Sequence, residues 1–404
     1  MRNRFTWLAY LFMAFYGYFL NILGPITPFL KDELGLSYTV SSLHFTAFAV
    51  GILCVGLGGH HVIRRAGRWP SLWIGAGGMG LSALLLMAGR TPALTIGACF
   101  CMGLVGSLIL AVVPSVLADQ HGELRAQAIT EANVLASLVS SAAPLMVGWF
   151  AHLAGDWRPA LGIGACAPLV MRLGFGQAIS PPFIPPAGGE RGGSAAGKDP
   201  TRAKQPLPMR YWIYWVALVL SVAVEFCMIF WSADYLEHEL GMPKADAAQA
   251  VSLFLAAMIV GRLAGSRLVQ RISPRKMITA SSLVAGAGFL VYWKAGSILA
   301  GVGGLFVTGL GVASLYPLIL SLAMGAAGDN SVQAGARATL ASGAAILSLP
   351  LVLGRLADAV GIRPAYGVVV LLLLSVFLII QFAARLSPPK PPSPLPPGTR
   401  PGWR

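Results

Sequence analysis

Glu131, Glu225 and Arg262 stand inside long apolar stretches of this chain, where an ionisable side chain needs a partner, water or a functional role. Glu225 lies about 14 residues into its stretch, which corresponds to about 21 Å along a helix. Burial at that depth favours the protonated form of a carboxyl, so Glu225 could take up and release a proton. The alternative is a structural role, in which Glu225 is hydrogen-bonded to a neighbouring helix.

Other kinds of chemistry lack the residues that they need. His60 and His61 are adjacent, but no third metal ligand accompanies them. The five cysteines lie in apolar stretches without a C-x-x-C pair, which is typical of small packing residues. The sequence has no nucleophile–base constellation and no G-x-x-x-x-G-K-S/T phosphate loop. We therefore expect no enzyme activity, no cofactor, no metal and no ATP-driven step.

The composition predicts that lipid covers most of the protein surface. Of 404 residues, 56% are apolar and 11% are charged, and the mean hydropathy is +0.71. A water-soluble domain could not cover so much apolar surface with so few polar groups. The net charge of +14 could indicate nucleic-acid binding. However, the basic residues alternate between loops instead of forming one face, so nucleic acid is not an expected partner.

Twelve apolar stretches have the length that a helix needs to cross a hydrocarbon core of about 30 Å. The first could mimic a secretory signal, but it is long enough to span and no small-residue cleavage site follows it. Strict alternation of apolar and polar residues is absent, which excludes membrane-barrel strands. The predicted spans are residues 5–29, 40–63, 71–89, 94–118, 127–153, 159–178, 211–233, 247–266, 277–293, 299–325, 335–357 and 364–384.

The distribution of charge predicts the orientation and the domain boundaries. Basic residues concentrate in the loops on the side of the two chain ends, an excess that marks cytoplasmic loops of inner-membrane proteins. We therefore predict a multi-pass protein of the inner (plasma) membrane with both termini in the cytoplasm. The Pro, Gly and charge content of 179–210 predicts a linker between domains at 1–178 and 211–386, and 387–404 predicts a Pro-rich cytoplasmic tail.

The two halves of the chain match each other at a constant offset of 206 residues. An even six spans per half gives both copies the same orientation, so the repeat is parallel and its axis follows the membrane normal. The predicted fold class is an all-α membrane protein with twelve transmembrane helices in two parallel-repeat six-helix bundles. The alignment pairs FLKDELG at 29–35 with YLEHELG at 235–241, PLMVGWFAHLAG from Pro144 with PLVLGRLADAVG from Pro350, and, after one residue of slip, Arg158 with Arg363.

The loop after the second span, GGHHVIRRAGR at 58–68, resembles the cytoplasmic signature of the major facilitator superfamily, usually written G-x-L-a-D-R-x-G-R. Arg65, Gly67 and Arg68 match that signature, and the second copy at 265–276 keeps Arg271. The six-plus-six layout and the basic central linker extend the resemblance over essentially the whole chain. The departures are a leading glycine displaced to Gly59 and Gly265, and Arg64 and Gln270 at the position of the motif's Asp.

The superfamily uses that Asp in a charge network that holds the inward-closed state, so the resemblance implies that this chain builds its latch differently. Spans five and eight face each other in that fold, and we therefore expect Glu131 and Arg262 to pair when the cytoplasmic side closes. Alternatives are a static structural pair, contact of Arg262 with an anionic substrate, or contact with Glu225. A depth difference of about 10 Å favours bridging by water or substrate over direct contact with Glu225. Asp119 is expected either in a network with Arg68 or solvated.

The resemblance implies that the protein moves a small organic solute across the inner membrane by alternating access, and Glu225 favours coupling to protons. We expect a monomer in the lipid bilayer whose partners are this solute and protons. The alternatives are an efflux antiporter for toxic compounds, which a missing span-four Arg and an incomplete G-P-x-x-G-G run disfavour, and a membrane sensor that does not transport. Residues predicted to line the cavity, with packing as the alternative role of each, are Tyr16, Tyr18, Asn21, His44, Phe226, Phe230, Trp231 and Tyr316.

Overall fold

The computed structural model describes residues 3–175, 206–269 and 271–385, and these are helical apart from short turns. Single 3-10 turns at Gly122–Leu124 and Gly328–Asn330 precede two of the helices. The helices are α1 (Arg4–Leu34), α2 (Tyr38–Ala66), α3 (Arg68–Ala88), α4 (Pro92–His121), α5 (Arg125–Ala154), α6 (Arg158–Phe175), α7 (Met209–Leu240), α8 (Lys244–Leu268), α9 (Pro274–Lys294), α10 (Ile298–Val312), α11 (Leu315–Ala327), α12 (Ser331–Val360), α13 (Ile362–Ala365) and α14 (Gly367–Arg385).

These helices confirm the predicted all-α membrane fold. Ten segments of the described chain are long and apolar enough to cross a membrane, with α10 and α11 counted as one segment and α13 and α14 as another. The two remaining predicted spans are α6, which carries Arg172, and α9, which carries Arg275 and Lys276 in its first turn. Both pack lengthwise in the bundle, α6 against α3 and α9 against α10 and α14.

Several helices are longer than the predicted spans. The largest difference is at α7, which runs from Met209 to Leu240, whereas its predicted span was 211–233. The extra turns carry charged residues that still face protein, which apolar length alone could not reveal. Residues 176–205 of the linker and the tail at 387–404 lie outside the described residues.

Local sequence signals explain how several helices begin and end. Asn3 accepts a hydrogen bond from the backbone N–H of Thr6 and caps α1. Gly35 and Gly241, which align in the repeat, end α1 and α7 with φ of 60° and 63°, a left-handed conformation that favours glycine. The tenth span breaks into α10 and α11 just before Pro317, which lacks the N–H that a continuous helix would need.

Helices α1 and α7 lie at the centre of the molecule and pack against each other. The halves also meet where α5 packs against α8 and where α2 packs against α12. Because successive spans are antiparallel, the start of α1 and the end of α14 lie on one side, which we call the termini side. The opposite side, with Leu34 and Leu240, is the far side. The three contacts between halves, α1 with α7, α5 with α8 and α2 with α12, define a central seam.

Candidate functional site

A cavity of about 680 Å³ lies in the central seam. Asn21 on α1 and Glu225 on α7 border it near the middle of their helices, and Val269 and Met277 border it at the termini-side ends of α8 and α9. The cavity therefore runs from mid-depth to the termini side. Its volume lies in the range of pockets that hold small molecules.

Arg262 joins the two halves inside this cavity. Its Nη2 lies 3.6 Å from Glu225 Oε1, and its Nη1 lies 3.4 Å from Ser137 Oγ on α5. The depth difference favoured bridging by water or substrate over direct contact, but Arg262 and Glu225 contact each other directly in this arrangement. Depths counted from the helix ends ignore the length of the arginine side chain, which covers several ångströms along the seam.

The expected pair of Glu131 and Arg262 is not formed in this arrangement. Glu131 instead accepts hydrogen bonds from Tyr10 Oη at 2.7 Å and from Gln127 Nε2 at 2.9 Å. The hypothesis concerned the state in which the termini side is closed. Since the cavity reaches that side here, the pairing stays a prediction.

Two of the predicted cavity residues, Asn21 and Tyr316, line the cavity. Tyr18 does not, because its hydroxyl donates to Ala160 O at 2.8 Å and holds α1 against α6. His44 is buried between α2 and α4, where Nε2 lies 2.8 Å from Thr95 Oγ1. Tyr16 and Phe226 are also buried and do not line it, and they pack near Phe48 and Phe230 respectively.

An aromatic layer closes the cavity toward the far side. Phe45 on α2 stacks on Phe230 on α7 with ring centroids 4.0 Å apart. Trp231 packs edge-on against Phe45 and donates its indole N–H to Pro350 O at 3.2 Å. Phe230 and Trp231 thus pack against α2 and α12 on the far side of the cavity, and neither residue lines it. Phe230 lies five residues beyond Glu225 on α7, about 7.5 Å along the helix.

Polar contacts hold the far-side ends of the two halves together. Lys31 Nζ lies 2.5 Å from Asp234 Oδ1, and both side chains are buried. Lys244 forms an ion pair with Asp32. These two pairs join α1 with α7 and with the first residue of α8 across the seam.

Two further far-side contacts occupy equivalent places in the repeat. Asp358 on α12 accepts hydrogen bonds from the backbone N–H groups of Tyr38 and Thr39, both at 2.8 Å, and so caps the start of α2. At the offset of 206, His152 on α5 contacts Asp246 in the first turn of α8, with Nε2 2.7 Å from Oδ1. The two repeat-related positions thus both join the halves, one through backbone N–H groups and the other through a histidine side chain.

The signature residues lie on the termini side. Gly67 has φ of 88° and forms the turn between α2 and α3, a conformation that favours glycine. Arg68 forms an ion pair with Asp119, which confirms that part of the expected network. Gly265 lines the cavity, while the side chains of Arg64, Arg65 and Arg271 are exposed. Gly59, which aligns with Gly265 in the repeat, is buried on α2 and does not line the cavity.

Sequence reasoning missed the polar face that α5 presents to the cavity. Asn133, Ser137 and Ser140 line the cavity at spacings of four and three residues, which is one face of a helix. A polar stripe inside an otherwise apolar span is a signal that could have revealed these residues, since lipid does not favour them.

Comparison with known proteins places this architecture in one family. The model of the Major Facilitator Superfamily matches residues 7–331 and, separately, residues 213–403. An uncharacterized MFS-type transporter of Yersinia pestis is 30% identical over 173 residues, which are 41% of this chain and 44% of that protein. A glucose/galactose transporter of Brucella abortus is 32% identical over 136 residues, 31% of this chain and 30% of its own. The chain thus matches less than half of the length of these relatives.

Solved structures show the same fold over nearly the whole chain. A bacterial homolog of the human lysosomal transporter Spinster, in an inward-facing and unoccupied conformation, has a TM-score of 0.76 at 12% identity and covers 94% of this chain and 96% of its own. The nucleoside transporter NupG has a TM-score of 0.72 at 12% identity, covering 95% and 99%. With the family model matching both halves and the helices arranged as parallel repeats around a central seam, the chain belongs to the Major Facilitator Superfamily.

Proposed function

We propose that this protein is a secondary active transporter that moves a small organic solute by alternating access and couples the movement to protons. The observation that carries the proposal is the Glu225–Arg262 ion pair within the cavity between the halves. When the Glu225 carboxyl binds a proton, it releases Arg262, which is then free to bind a substrate. One site can therefore couple the binding of the proton to the binding of the substrate. The sugar, nucleoside and peptide transporters among the similar proteins are compatible with a solute carrier and leave the solute open.

The far-side contacts and the open termini side support an inward-facing state. This follows if the termini are cytoplasmic, an orientation that the basic residues at 64–68 and 267–276 favour. We propose a monomer in the inner membrane that loads or releases solute on the cytoplasmic side in the arrangement described. The opposite state requires the far-side contacts to break and the halves to close around Arg262.

Reconstitution in liposomes tests this function. A stability-shift screen against metabolite and drug panels first identifies solutes that raise the melting temperature of the purified protein. Those solutes should then drive proton movement across liposome membranes, followed with an internal pH dye. Glu225→Gln should keep solute exchange but lose proton-driven accumulation, because its side chain cannot ionise.

Asp156→Asn is a matched control, since it removes one carboxylate from the loop between α5 and α6, outside the cavity. It should accumulate solute as the unaltered protein does. A protein that shows no solute-dependent proton flux at any pH would be a sensor. Binding of several unrelated lipophilic cations would instead favour efflux of toxic compounds.

A further inference from the structure

The charge of the cavity depends on one proton. Among the described residues that line it, Glu225 and Arg262 are the ionisable acid–base pair. With Glu225 ionised, the two charges cancel. When Glu225 takes up a proton, the charge of Arg262 has no counterion on the cavity wall. The cavity then attracts an anion, so proton binding at Glu225 and anion binding at Arg262 favour each other.

The geometry gives an anion easier access than a cation. The Arg262 side chain is 43% exposed and the Glu225 side chain 18% exposed, so the guanidinium faces the open space. Its contacts with Glu225 at 3.6 Å and Ser137 at 3.4 Å are longer than strong charge-assisted hydrogen bonds, which measure about 2.8 Å. A guanidinium offers several N–H donors in a planar fork that matches a carboxylate.

The cavity wall lacks what an organic cation would need. Such cations are bound by clusters of aromatic faces or by a carboxylate that has no basic partner. Within the described part of the chain, Tyr316 is the single aromatic residue of the lining and Glu225 the single acid. Polar neutral groups are more numerous and include Asn133, Ser137 and Ser140 on one face of α5.

Asn21 adds a requirement for a hydrogen-bond donor. Its Nδ2 donates to Gly17 O at 3.0 Å, which fixes the orientation of the amide because that carbonyl needs a donor. Asn21 lines the cavity and is 8% exposed, and its Oδ1 has no hydrogen-bond partner among the described residues. A buried acceptor of this kind favours a ligand with a donor group. Once Glu225 is protonated, no lining carboxylate is left for an ammonium group, so a hydroxyl fits better.

We propose that the cavity binds a small hydroxylated carboxylate, whose carboxylate replaces Glu225 on Arg262 and whose hydroxyl donates to Asn21 Oδ1. This proposal rests on the proposed function and names its substrate class. One proton on Glu225 accompanies one carboxylate on Arg262, so the pair crosses the membrane without net charge. Transport of this substrate should therefore respond to a pH gradient and not to a membrane potential.

Binding to the purified full-length protein tests the substrate class separately from transport. The probes are gluconate, glycerate and glycolate, each compared with a neutral or cationic analogue: glucose and glucosamine for gluconate, glycerol for glycerate and ethylene glycol for glycolate. The shift in melting temperature is followed against ligand concentration at several pH values. At least one hydroxy acid should bind, more tightly as the pH falls, while its analogues do not.

Variants make the result specific to the cavity. Glu225→Gln mimics the protonated carboxyl and should bind the acid roughly tenfold more tightly at high pH, with no remaining pH dependence. Arg262→Gln should lose the binding, and Arg262→Lys should keep part of it. Asn21→Ala should weaken the binding of glycolate and glycerate but not that of acetate and propionate, which are the same acids without their hydroxyl groups. Asp156→Asn is again the control and should bind normally.

The proposal is overturned if no hydroxy acid binds Glu225→Gln, if the neutral analogues bind as well as the acids, or if Arg262→Gln leaves binding intact. These outcomes are distinct from failure of the proposed function. Proton-coupled transport of another solute with no carboxylate binding would reject the substrate class alone. Carboxylate binding without any flux in liposomes would reject the transporter and keep the binding site.

Discussion

Lys31 and Asp234 form an ion pair that is buried between the halves, so their charges have little water to compensate them. Lys31→Met should lower the stability by about 3–5 kcal/mol, because it leaves the Asp234 carboxylate buried without its main partner. His238 Nδ1, 3.5 Å from the other Asp234 oxygen, can compensate only partly. The midpoint of unfolding in detergent measures this loss.

The double variant Lys31→Met with Asp234→Leu should recover most of the lost stability, since no charge is then left unpaired. Lys294→Met, which removes an exposed far-side lysine, serves as the control and should change little. If Lys31→Met is as stable as the unaltered protein, the pair does not form in solution.

Glu131 and Arg262 are predicted to meet when the termini side closes. A cycle of Glu131→Gln, Arg262→Gln and the double variant, assayed by transport rate with a solute that the screen identifies, should show that the two losses are not additive. Strictly additive losses would argue against the pairing. Arg262 has a second role here because it holds Glu225, so the single variant at Arg262 should be the more severe.

The residue types in the sequence identified the charged side chains that need a partner, but they did not identify that partner. Glu33 and Arg158, and their repeat counterparts Glu239 and Arg363, align in the sequence. The structure shows each Glu paired with the Arg of its own half, at 2.5 Å and 3.6 Å. The repeat could have suggested these pairs, because two matched acids and two matched bases on one side of the membrane are complementary.

Helices of the two halves approach each other closely at two aligned glycines. A Cβ on Gly148 of α5 would overlap Ala245 O of α8, and a Cβ on Gly354 of α12 would lie 2.8 Å from Tyr38 O of α2. Gly148→Ala and Gly354→Ala should therefore disfavour the arrangement with a closed far side. They should not unfold the helices, since alanine is the better helix former.

Spin labels at the exposed far-side positions Ser37 and Val360 would report this change as a longer distance between α2 and α12. Gly97→Ala on α4 is the control, because no atom of another helix lies within 4 Å of the place of its Cβ. An unchanged distance in both variants would mean that the helices tolerate the methyl groups by shifting locally.

The helices themselves followed from length and hydropathy, whereas their rotation about their own axes did not. Tyr18 and His44 lie on spans that could line a cavity, yet each faces another helix of its own half. Lipid and protein interior are similarly apolar, so hydropathy does not distinguish a lipid-facing side from a packed one. A polar stripe such as Asn133, Ser137 and Ser140 is the better guide to the cavity.

Alternating access requires the whole far side to open in every cycle. His152→Cys with Asp246→Cys would place two thiols on α5 and α8, where the native side chains touch. A short bifunctional thiol linker that joins them should abolish transport, and cleaving a reducible linker should restore it. Flux is measured in liposomes before and after reduction.

The background for this experiment replaces the exposed Cys54, Cys101 and Cys166 by serine. Each single cysteine variant, treated with the same linker, should transport normally. Full flux through the doubly linked protein would show that the halves do not separate at this edge, and would contradict the proposed alternating access.

At the scale of the molecule, the constant offset of 206 residues was the strongest signal in the sequence, because it fixed the number of halves and their orientation together. The cavity volume and the far-side contacts could not be predicted from the repeat. They depend on how far the two bundles are tilted relative to each other, which the lengths of the spans and the repeat do not specify.

The two equivalent far-side contacts differ in which residues can remove them. Asp358 binds the peptide N–H groups of Tyr38 and Thr39, which every substitution at those two positions except proline leaves in place. The contact of His152 with Asp246 joins two side chains, so a change at either residue removes it. The edge at α5 and α8 can therefore be weakened by a substitution in either half, whereas the edge at α2 and α12 depends on the single carboxylate of Asp358.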